Sequence, residues 1–247
     1  MKSLDLATPR APSMTIRVAL ADDHRVVREG LCALLAREND MEVVGTACDG
    51  LEAVRLAREM QPDVMVTDVS MPGLNGVEAI RRIHTEEPGV RLLCLSMHDD
   101  NRMVLAVLNA GAAGYVLKDS SADELAAAIR KVMAHKVYLS PELVTLVVDE
   151  MRLQKTRPPG HSADLLTPRE RELVQLVSEG YATSDIAERL HLSVKTVATH
   201  REHVMHKLHL SSVAEITRYA LREGLTSLDT PCGATRRLRA ARTPGAN

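Results

Sequence analysis

An alternation of two kinds of segment over residues 16–135 is the feature that most limits the fold of this chain. Five short apolar runs, which predict strands, alternate with amphipathic runs, which predict helices over 25–37, 50–60, 75–86, 100–110 and 121–134. This order is typical of βαβ units, in which helices pack on both faces of a parallel sheet. The sequence therefore predicts an α/β domain with a doubly wound, five-stranded parallel sheet.

Polar residues follow four of these strands at the point where each strand ends. Asp22 and Asp23 follow the first strand, Asp68 the third, Ser96 the fourth and Lys118 the fifth. Because the carboxyl ends of parallel strands lie along one edge of a sheet, we expect these side chains to converge on one pocket. Crowded carboxylates repel one another unless a cation lies between them, and oxygen ligands suit Mg²⁺. The pattern thus predicts a magnesium site beside a hydroxyl group and an ammonium group.

The second half of the chain has a purely helical pattern. Helices are predicted over 167–179, from Ser184 to Leu190 with Thr183 as N-cap, over 194–208 after Ser193, and from Ser211 or Ser212 to Gly224. Two short helices joined by a tight turn fit a helix-turn-helix, whose second helix enters the major groove of DNA. A small all-α domain of this kind is therefore expected to follow the α/β domain.

Composition shifts divide the chain into five parts. A Pro-Pro-Gly stretch without an apolar anchor predicts a linker, and an arginine-containing end with few large apolar residues predicts disorder. The predicted parts are a flexible tail (1–14), the α/β domain (15–135), a helix and linker (136–164), the helix-turn-helix domain (165–228) and a disordered basic tail (229–247).

The overall composition excludes some classes of protein. With four Tyr and neither Trp nor Phe, a pocket for a bulky organic ligand is disfavoured, because such pockets are usually lined by aromatic side chains. The four cysteines lie far apart, as free thiols in a reducing compartment do. No apolar run approaches the length of a membrane span and no signal peptide is recognisable. We therefore expect a cytoplasmic protein with no membrane partner.

Two sets of motifs resemble known families. Residues 68–76 (DVSMPGLNG) and 111–119 (GAAGYVLKD) resemble the phosphoacceptor loop and fifth strand of two-component receiver domains, which are flavodoxin-like. Residues 165–225 resemble a LuxR-type helix-turn-helix through LTPRERE at 166–172 and KTV at 195–197. In this order the two halves resemble a NarL/FixJ-type response regulator, and the resemblance covers nearly all of the chain outside the tails and linker.

The resemblance implies a phosphoryl-accepting site on the α/β domain. Asp68 is expected to attack phosphorus and to take a phosphoryl group from a sensor histidine kinase. Asp23, Asp68 and the backbone carbonyl of Ser70 are expected to bind Mg²⁺ directly, and Asp22 to act through water or a hydrogen bond. The metal would neutralise charge on the transferring phosphoryl group.

The same resemblance implies a switch at the neighbouring strands. Lys118 is expected to contact one phosphoryl oxygen as a point charge, and the Ser96 hydroxyl another. After phosphorylation Ser96 would move toward the phosphoryl group, and Tyr115 would rotate into the space left behind. This movement would reshape the face made by helices 100–110 and 121–134.

In the helix-turn-helix half, the helix after Ser193 is the predicted recognition helix. The residues expected to contact double-stranded promoter DNA are Lys195, Thr196, Thr199, Arg201 and Lys207. Many relatives have a basic residue where this chain has Ala198, and some have one where it has Glu202, so the target sequence is not defined. Four histidines recur every third residue in this region, a spacing that drifts round a helix and does not suit metal binding. The last helix forms a dimer interface in the family, which implies a homodimer when phosphorylated.

Two other functions are considered beside that of a phosphorylation-activated transcription regulator. An Asp-nucleophile phosphohydrolase would carry a second Asp two residues after the nucleophile, where this chain has Ser70. A small-molecule-sensing LuxR-type regulator would need a ligand-binding domain, against which the scarce aromatics argue. A non-enzymatic regulator is therefore expected. The sequence leaves open whether its two halves cover each other before phosphorylation.

Overall fold

The structure is a computed structural model that describes residues 15–97, 101–154 and 165–226. The predictions of a flexible tail (1–14), a linker through 155–164 and a disordered basic tail (229–247) lie outside these residues and stay predictions. Within the described ranges no helix is both long enough and apolar enough to span a membrane.

The first half folds around one parallel sheet. Its strands are β1 (Ile16–Ala21), β2 (Met41–Ala47), β3 (Val64–Asp68), β4 (Arg91–Ser96), β5 (Gly114–Leu117) and β6 (Tyr138–Leu139). They lie in the order β2-β1-β3-β4-β5-β6, and all pair in parallel. The first five confirm the predicted doubly wound, flavodoxin-like order.

The sixth strand corrects the prediction of a five-stranded sheet. Tyr138 and Leu139 pair with the start of β5, and the Tyr138 N–H donates to the Ala113 carbonyl at 3.1 Å. The Ser140 N–H donates to the Tyr115 carbonyl at 3.1 Å, which ends the added strand. Two residues are too few to show the alternation by which a strand is recognised in a sequence.

Helices cover both faces of the sheet. They are α1 (Arg25–Leu35), α2 (Gly50–Met60), α3 (Gly76–Glu86), α4 (Asn101–Asn109), α5 (Ala122–Met133) and α6 (Pro141–Gln154). One buried cluster joins the sheet to α2, α3, α4 and α6, and a second joins its other face to α1 and α5. Because both faces are covered, strands such as β3 are buried along their whole length.

Four further helices make the C-terminal unit: α7 (Pro168–Ser178), α8 (Thr183–Arg189), α9 (Val194–Lys207) and α10 (Val213–Arg222). A capping box opens α7, in which the side chains of Thr167 and Glu170 each accept the other residue's backbone N–H. The prediction of Thr183 as an N-cap is wrong. That residue begins α8, and extended Ala182 precedes it, whose carbonyl accepts the first helical hydrogen bonds.

The C-terminal helices share a core and also contact the α/β half. Their core includes Val197 and Val204 of α9, with Leu208 half-buried beside them. On the opposite side, α7 and the end of α10 pack on α3 and on the loop that precedes it, where Asn75 donates to the Leu225 carbonyl at 3.1 Å. The two halves therefore form a contact in this structure.

Candidate functional site

The strand ends bring the predicted acidic residues together at one edge of the sheet. Asp68 ends β3 opposite Leu95, the residue before Ser96 in β4, and Ser96 lies opposite Leu117. One carboxylate oxygen from each of Asp22, Asp23 and Asp68 lies within 4.8 Å of the others. Asp22 and Asp68 are 1% and 3% exposed, so the cluster is largely withdrawn from water.

Lys118 completes this cluster from the end of β5. Its Nζ lies 2.7 Å from Asp22 Oδ2 and 2.9 Å from Asp68 Oδ2, with its side chain only 6% exposed. Burial opposes the charged form, but Asp68 and Asp22 outweigh it and raise the pKa of Lys118. The ammonium group therefore stays protonated and offsets part of the negative charge.

Asp22 and Asp23 have different surroundings. The His24 backbone N–H donates to Asp22 Oδ1 at 2.8 Å, which fixes that carboxylate. Burial raises the pKa of Asp23, and Asp68 and Asp22 raise it further, while His24 and Lys118 oppose them. The His24 ring is 62% exposed and lies 2.9 Å from Asp23 Oδ1. The negative charge of Asp23 is therefore unfavourable for the stability of the folded state.

The donor atoms suit a hard divalent cation. Three carboxylates converge there, and oxygen ligands are those that Mg²⁺ prefers. The Val69 N–H donates to Asp68 Oδ1 at 2.8 Å and orients the carboxylate. An acidic pocket of this kind is the magnesium site of receiver domains. A ring nitrogen of His24 also lies in this cluster, but the exposed His24 ring already pairs with Asp23.

The loop after Asp68 turns back sharply on the site. The Gly76 N–H donates to the Val69 carbonyl at 2.8 Å, and a Cβ at Gly76 would lie 1.9 Å from the Asp68 carbonyl oxygen. Gly73 has φ of 83°, in the left-handed region that glycine adopts most easily. The two glycines allow the chain to pass close beside Asp68.

Ser96 and Tyr115, the two predicted switch residues, are both fully buried. The relative exposure of each is 0%. Tyr115 belongs to the buried cluster that includes Val104 and Val107 of α4 and Leu143 of α6. The ring thus lies inside the core in this structure, and its predicted rotation stays a prediction.

Replacing Asp23 with Asn should stabilise the protein at pH 7 when Mg²⁺ is left out, by about 1 kcal/mol. The raised pKa means that the folded state holds this proton more tightly than the unfolded state. The stability that protonation of Asp23 confers is present below its ordinary pKa of 3.8. It is lost as the pH rises through the raised pKa of the folded state. Urea unfolding at pH 7 and pH 3 checks this. A variant less stable than wild type at pH 7 would contradict it.

The predicted DNA-reading residues occupy different parts of α9. Lys195 and Thr199 are exposed, and Thr196 and Arg201 are half-buried. Lys207 lies at the end of the helix, with its Nζ 2.8 Å from Glu170 Oε2. Exposed histidines that were not predicted to contact DNA share the outer surface, namely His200, His203 and His206.

Comparison with known families agrees with both halves of this structure. Residues 18–130 match the response regulator receiver domain, and residues 164–220 match the luxR family of bacterial regulatory proteins. The chain belongs to the response regulators of two-component systems that join a receiver domain to a LuxR-type DNA-binding domain, which are phosphorylation-activated transcription regulators. A receiver in the N-terminal half leaves no place there for a small-molecule-sensing domain.

Individual relatives share this architecture. The oxygen regulatory protein NreC of Staphylococcus epidermidis is 41% identical over 215 residues, which are 85% of this chain and 99% of the relative. A solved LuxR-family two-component response regulator from Aurantimonas sp. is 39% identical, with a TM-score of 0.54 over 56% of this chain and 99% of that chain. RcsB, solved as two dimers bound to two parallel DNAs, is 25% identical, with a TM-score of 0.52 over 85% of this chain and 98% of its own.

Proposed function

We propose that Asp68 is the phosphoacceptor and takes its phosphoryl group from a sensor histidine kinase. The observation that carries this proposal is the position of Lys118 Nζ, which contacts both Asp68 and Asp22 inside a buried carboxylate cluster. The Asp68 carboxylate attacks phosphorus and a P–O bond forms as the bond to the donor breaks. Lys118, already 2.9 Å from Asp68 Oδ2, then contacts the bound phosphoryl group.

Asp23, Asp68 and the Ser70 carbonyl would hold Mg²⁺ directly, with Asp22 acting through water or a hydrogen bond. The metal would supply charge neutralisation on the phosphoryl oxygens. Asp22 is already fixed by the His24 N–H and pairs with Lys118, so it orients the ammonium group. The Ser96 hydroxyl, at the end of the adjacent strand, bonds a further phosphoryl oxygen, and Tyr115 moves in response.

The chain is its own phosphoryl-transfer substrate and turns over no separate one. A phosphohydrolase with an Asp nucleophile uses a second Asp two positions later as acid and base, and Ser70 cannot replace it. With a phosphomonoester as substrate, we expect no turnover beyond one equivalent per chain. Sustained release of many equivalents of phosphate, lost in Asp68→Ala, would favour the hydrolase.

Intact mass after treatment with acetyl phosphate and Mg²⁺ tests the phosphoacceptor. The wild-type chain should gain the mass of one phosphoryl group, and Asp68→Ala should gain none. Equal labelling of the two proteins would show that another residue accepts the group.

Once phosphorylated, the chain binds promoter DNA as a homodimer through α9. The exposed apolar side chain of Val213, at 47% exposure on α10, and the RcsB dimers solved on DNA support dimer formation through the last helix. Lys195 and Thr199 project from the exposed side of α9, with Thr196, Arg201 and Lys207 as further contacts. Two-fold dimers of this kind prefer two inverted half-sites.

Replacing Lys195 with Ala should weaken binding to a selected duplex about tenfold at low salt, because one ammonium–phosphate or ammonium–base contact is lost. If the contact is to phosphate, the slope of the logarithm of affinity against the logarithm of salt concentration should also become shallower by about one. Lys136→Ala removes the same charge from an exposed turn of the receiver and serves as the control. Equal affinity for Lys195→Ala and this control would remove Lys195 from the interface.

A further inference from the structure

Helix α7 buries a row of polar side chains that do not belong to the core of the DNA-binding domain. Glu172, Gln175 and Glu179 are 3%, 1% and 5% exposed. They recur at intervals of three and four residues, so they share one face of the helix. That face is covered by the receiver domain.

The part of the receiver that this face contacts is the segment directly after Asp68, here called the phosphoacceptor loop (residues 69–75). Gln175 Oε1 accepts the Asn75 N–H at 3.0 Å, and Gln175 Nε2 donates to the Met71 carbonyl at 3.2 Å. Glu179 Oε2 accepts the Gly73 N–H at 3.1 Å. Three backbone groups of the loop are therefore held by two side chains, that of Gln175 in α7 and that of Glu179, which caps the end of this helix.

These contacts form one connected network. Gln175 Nε2 also donates to Glu179 Oε1 at 2.6 Å, and the Asn75 side chain reaches the Leu225 carbonyl at the end of the chain's last described turn. Residues 71–76 are all buried. A buried, connected network of hydrogen bonds specifies a single geometry, because each group left unpaired would carry a desolvation cost.

Ion pairs between the domains flank the network. Arg82 Nη2 lies 2.8 Å from Glu172 Oε2, and Arg171 Nε lies 2.5 Å from Glu78 Oε1. By contrast, Lys195 and Thr199 on the recognition helix remain exposed. The contact between the domains thus covers the phosphoacceptor loop and leaves the exposed face of α9 open.

We propose that Gln175 is a positioning residue for phosphoryl transfer, through which the DNA-binding domain holds the phosphoacceptor loop and slows phosphorylation of Asp68. The inference rests on the proposed function of Asp68. Ser70, whose carbonyl is the proposed metal ligand, lies one residue before Met71, which Gln175 holds. Any movement of the Ser70 carbonyl as the site is loaded would therefore act against the hydrogen bonds that Gln175 makes to the loop. By linkage, loading the site also favours release of α7, which frees the DNA-binding domain.

The test compares Gln175→Ala and Arg82→Glu with wild type as full chains. Either variant should raise the initial rate of phosphorylation by acetyl phosphate and Mg²⁺ about fivefold, because Gln175→Ala removes two hydrogen bonds to the loop and Arg82→Glu removes an ion pair between the domains. Arg82→Lys keeps the positive charge opposite Glu172 and should stay close to the wild-type rate. Lys136→Ala serves as the control and should leave the rate unchanged.

Amide hydrogen exchange supplies a readout that does not depend on phosphorylation. The Gly73 and Asn75 amides donate to α7 in the wild type, and Gln175→Ala should speed their exchange while the amides of β1 keep their protection. Faster exchange with an unchanged or slower rate of phosphorylation would overturn the proposal, as would unchanged exchange. If no variant takes up a phosphoryl group at all, the proposed function of Asp68 fails instead, and the exchange result still decides whether α7 holds the loop.

Discussion

Replacing Lys118 with Met should destabilise the protein by about 3–5 kcal/mol at pH 7, because it leaves two buried carboxylates without their cation. Lys118 Nζ contacts Asp22 and Asp68 at 2.7 and 2.9 Å. The methionine keeps most of the side-chain volume, so the loss measures charge and not packing. Urea unfolding of the two proteins in the presence of EDTA gives this difference.

Millimolar Mg²⁺ should restore stability to the Lys118→Met variant, because the metal replaces the lost positive charge. Lys118→Arg keeps the charge and should lose less at pH 7. A variant that is as stable as wild type at pH 7 without Mg²⁺ would show that the cluster does not need the ammonium group.

Replacing Gly76 with Ala should cost about 3–4 kcal/mol, because the new Cβ meets backbone atoms that cannot rotate away. It would lie 1.9 Å from the Asp68 carbonyl oxygen and 2.9 Å from the Val69 Cα. The strand end that carries Asp68 must therefore shift, and the rate of phosphorylation should fall with the stability. Thermal unfolding and intact mass measure the two effects.

Gly30 offers a matched control for the Gly76 prediction. It lies inside α1, and a Cβ there would meet nothing within 4 Å. Gly30→Ala should raise stability by about 0.5–1 kcal/mol, since alanine favours the helix and restricts the unfolded chain. A similar change for both variants would show that the loop beside Asp68 is not as closely packed as the distances indicate.

The sequence predicted the sheet and the edge at which Asp22, Asp68 and Lys118 meet, because both follow from local patterns. Apolar runs mark buried parallel strands, and a polar residue directly after such a run marks the strand's carboxyl end. Strand β6 could not be predicted, because its two residues are too few to show the alternation of apolar and polar side chains that marks a strand. Side-chain preference favours Thr183 as the N-cap of α8, whereas Ala182 is the N-cap and the helix begins at Thr183.

The contact between the domains could not be predicted, because its residues are polar. Gln175 and Glu179 have the composition of a solvent-exposed helix face, and only the receiver's loop shows why they are buried. Lys207 is similar, since its ion pair with Glu170 depends on how α9 crosses α7.

The proposed control of DNA binding at α9 by a phosphoryl group on Asp68 is tested most directly by an affinity measurement. The ligand is a duplex selected from a random pool by the phosphorylated full chain, and its affinity is measured with and without acetyl phosphate and Mg²⁺. Wild type should bind at least about tenfold more tightly when phosphorylated, and Asp68→Asn should bind equally in both conditions. An equal gain in affinity for Asp68→Asn, or no gain for a wild-type chain that carries the phosphoryl group, would contradict the account.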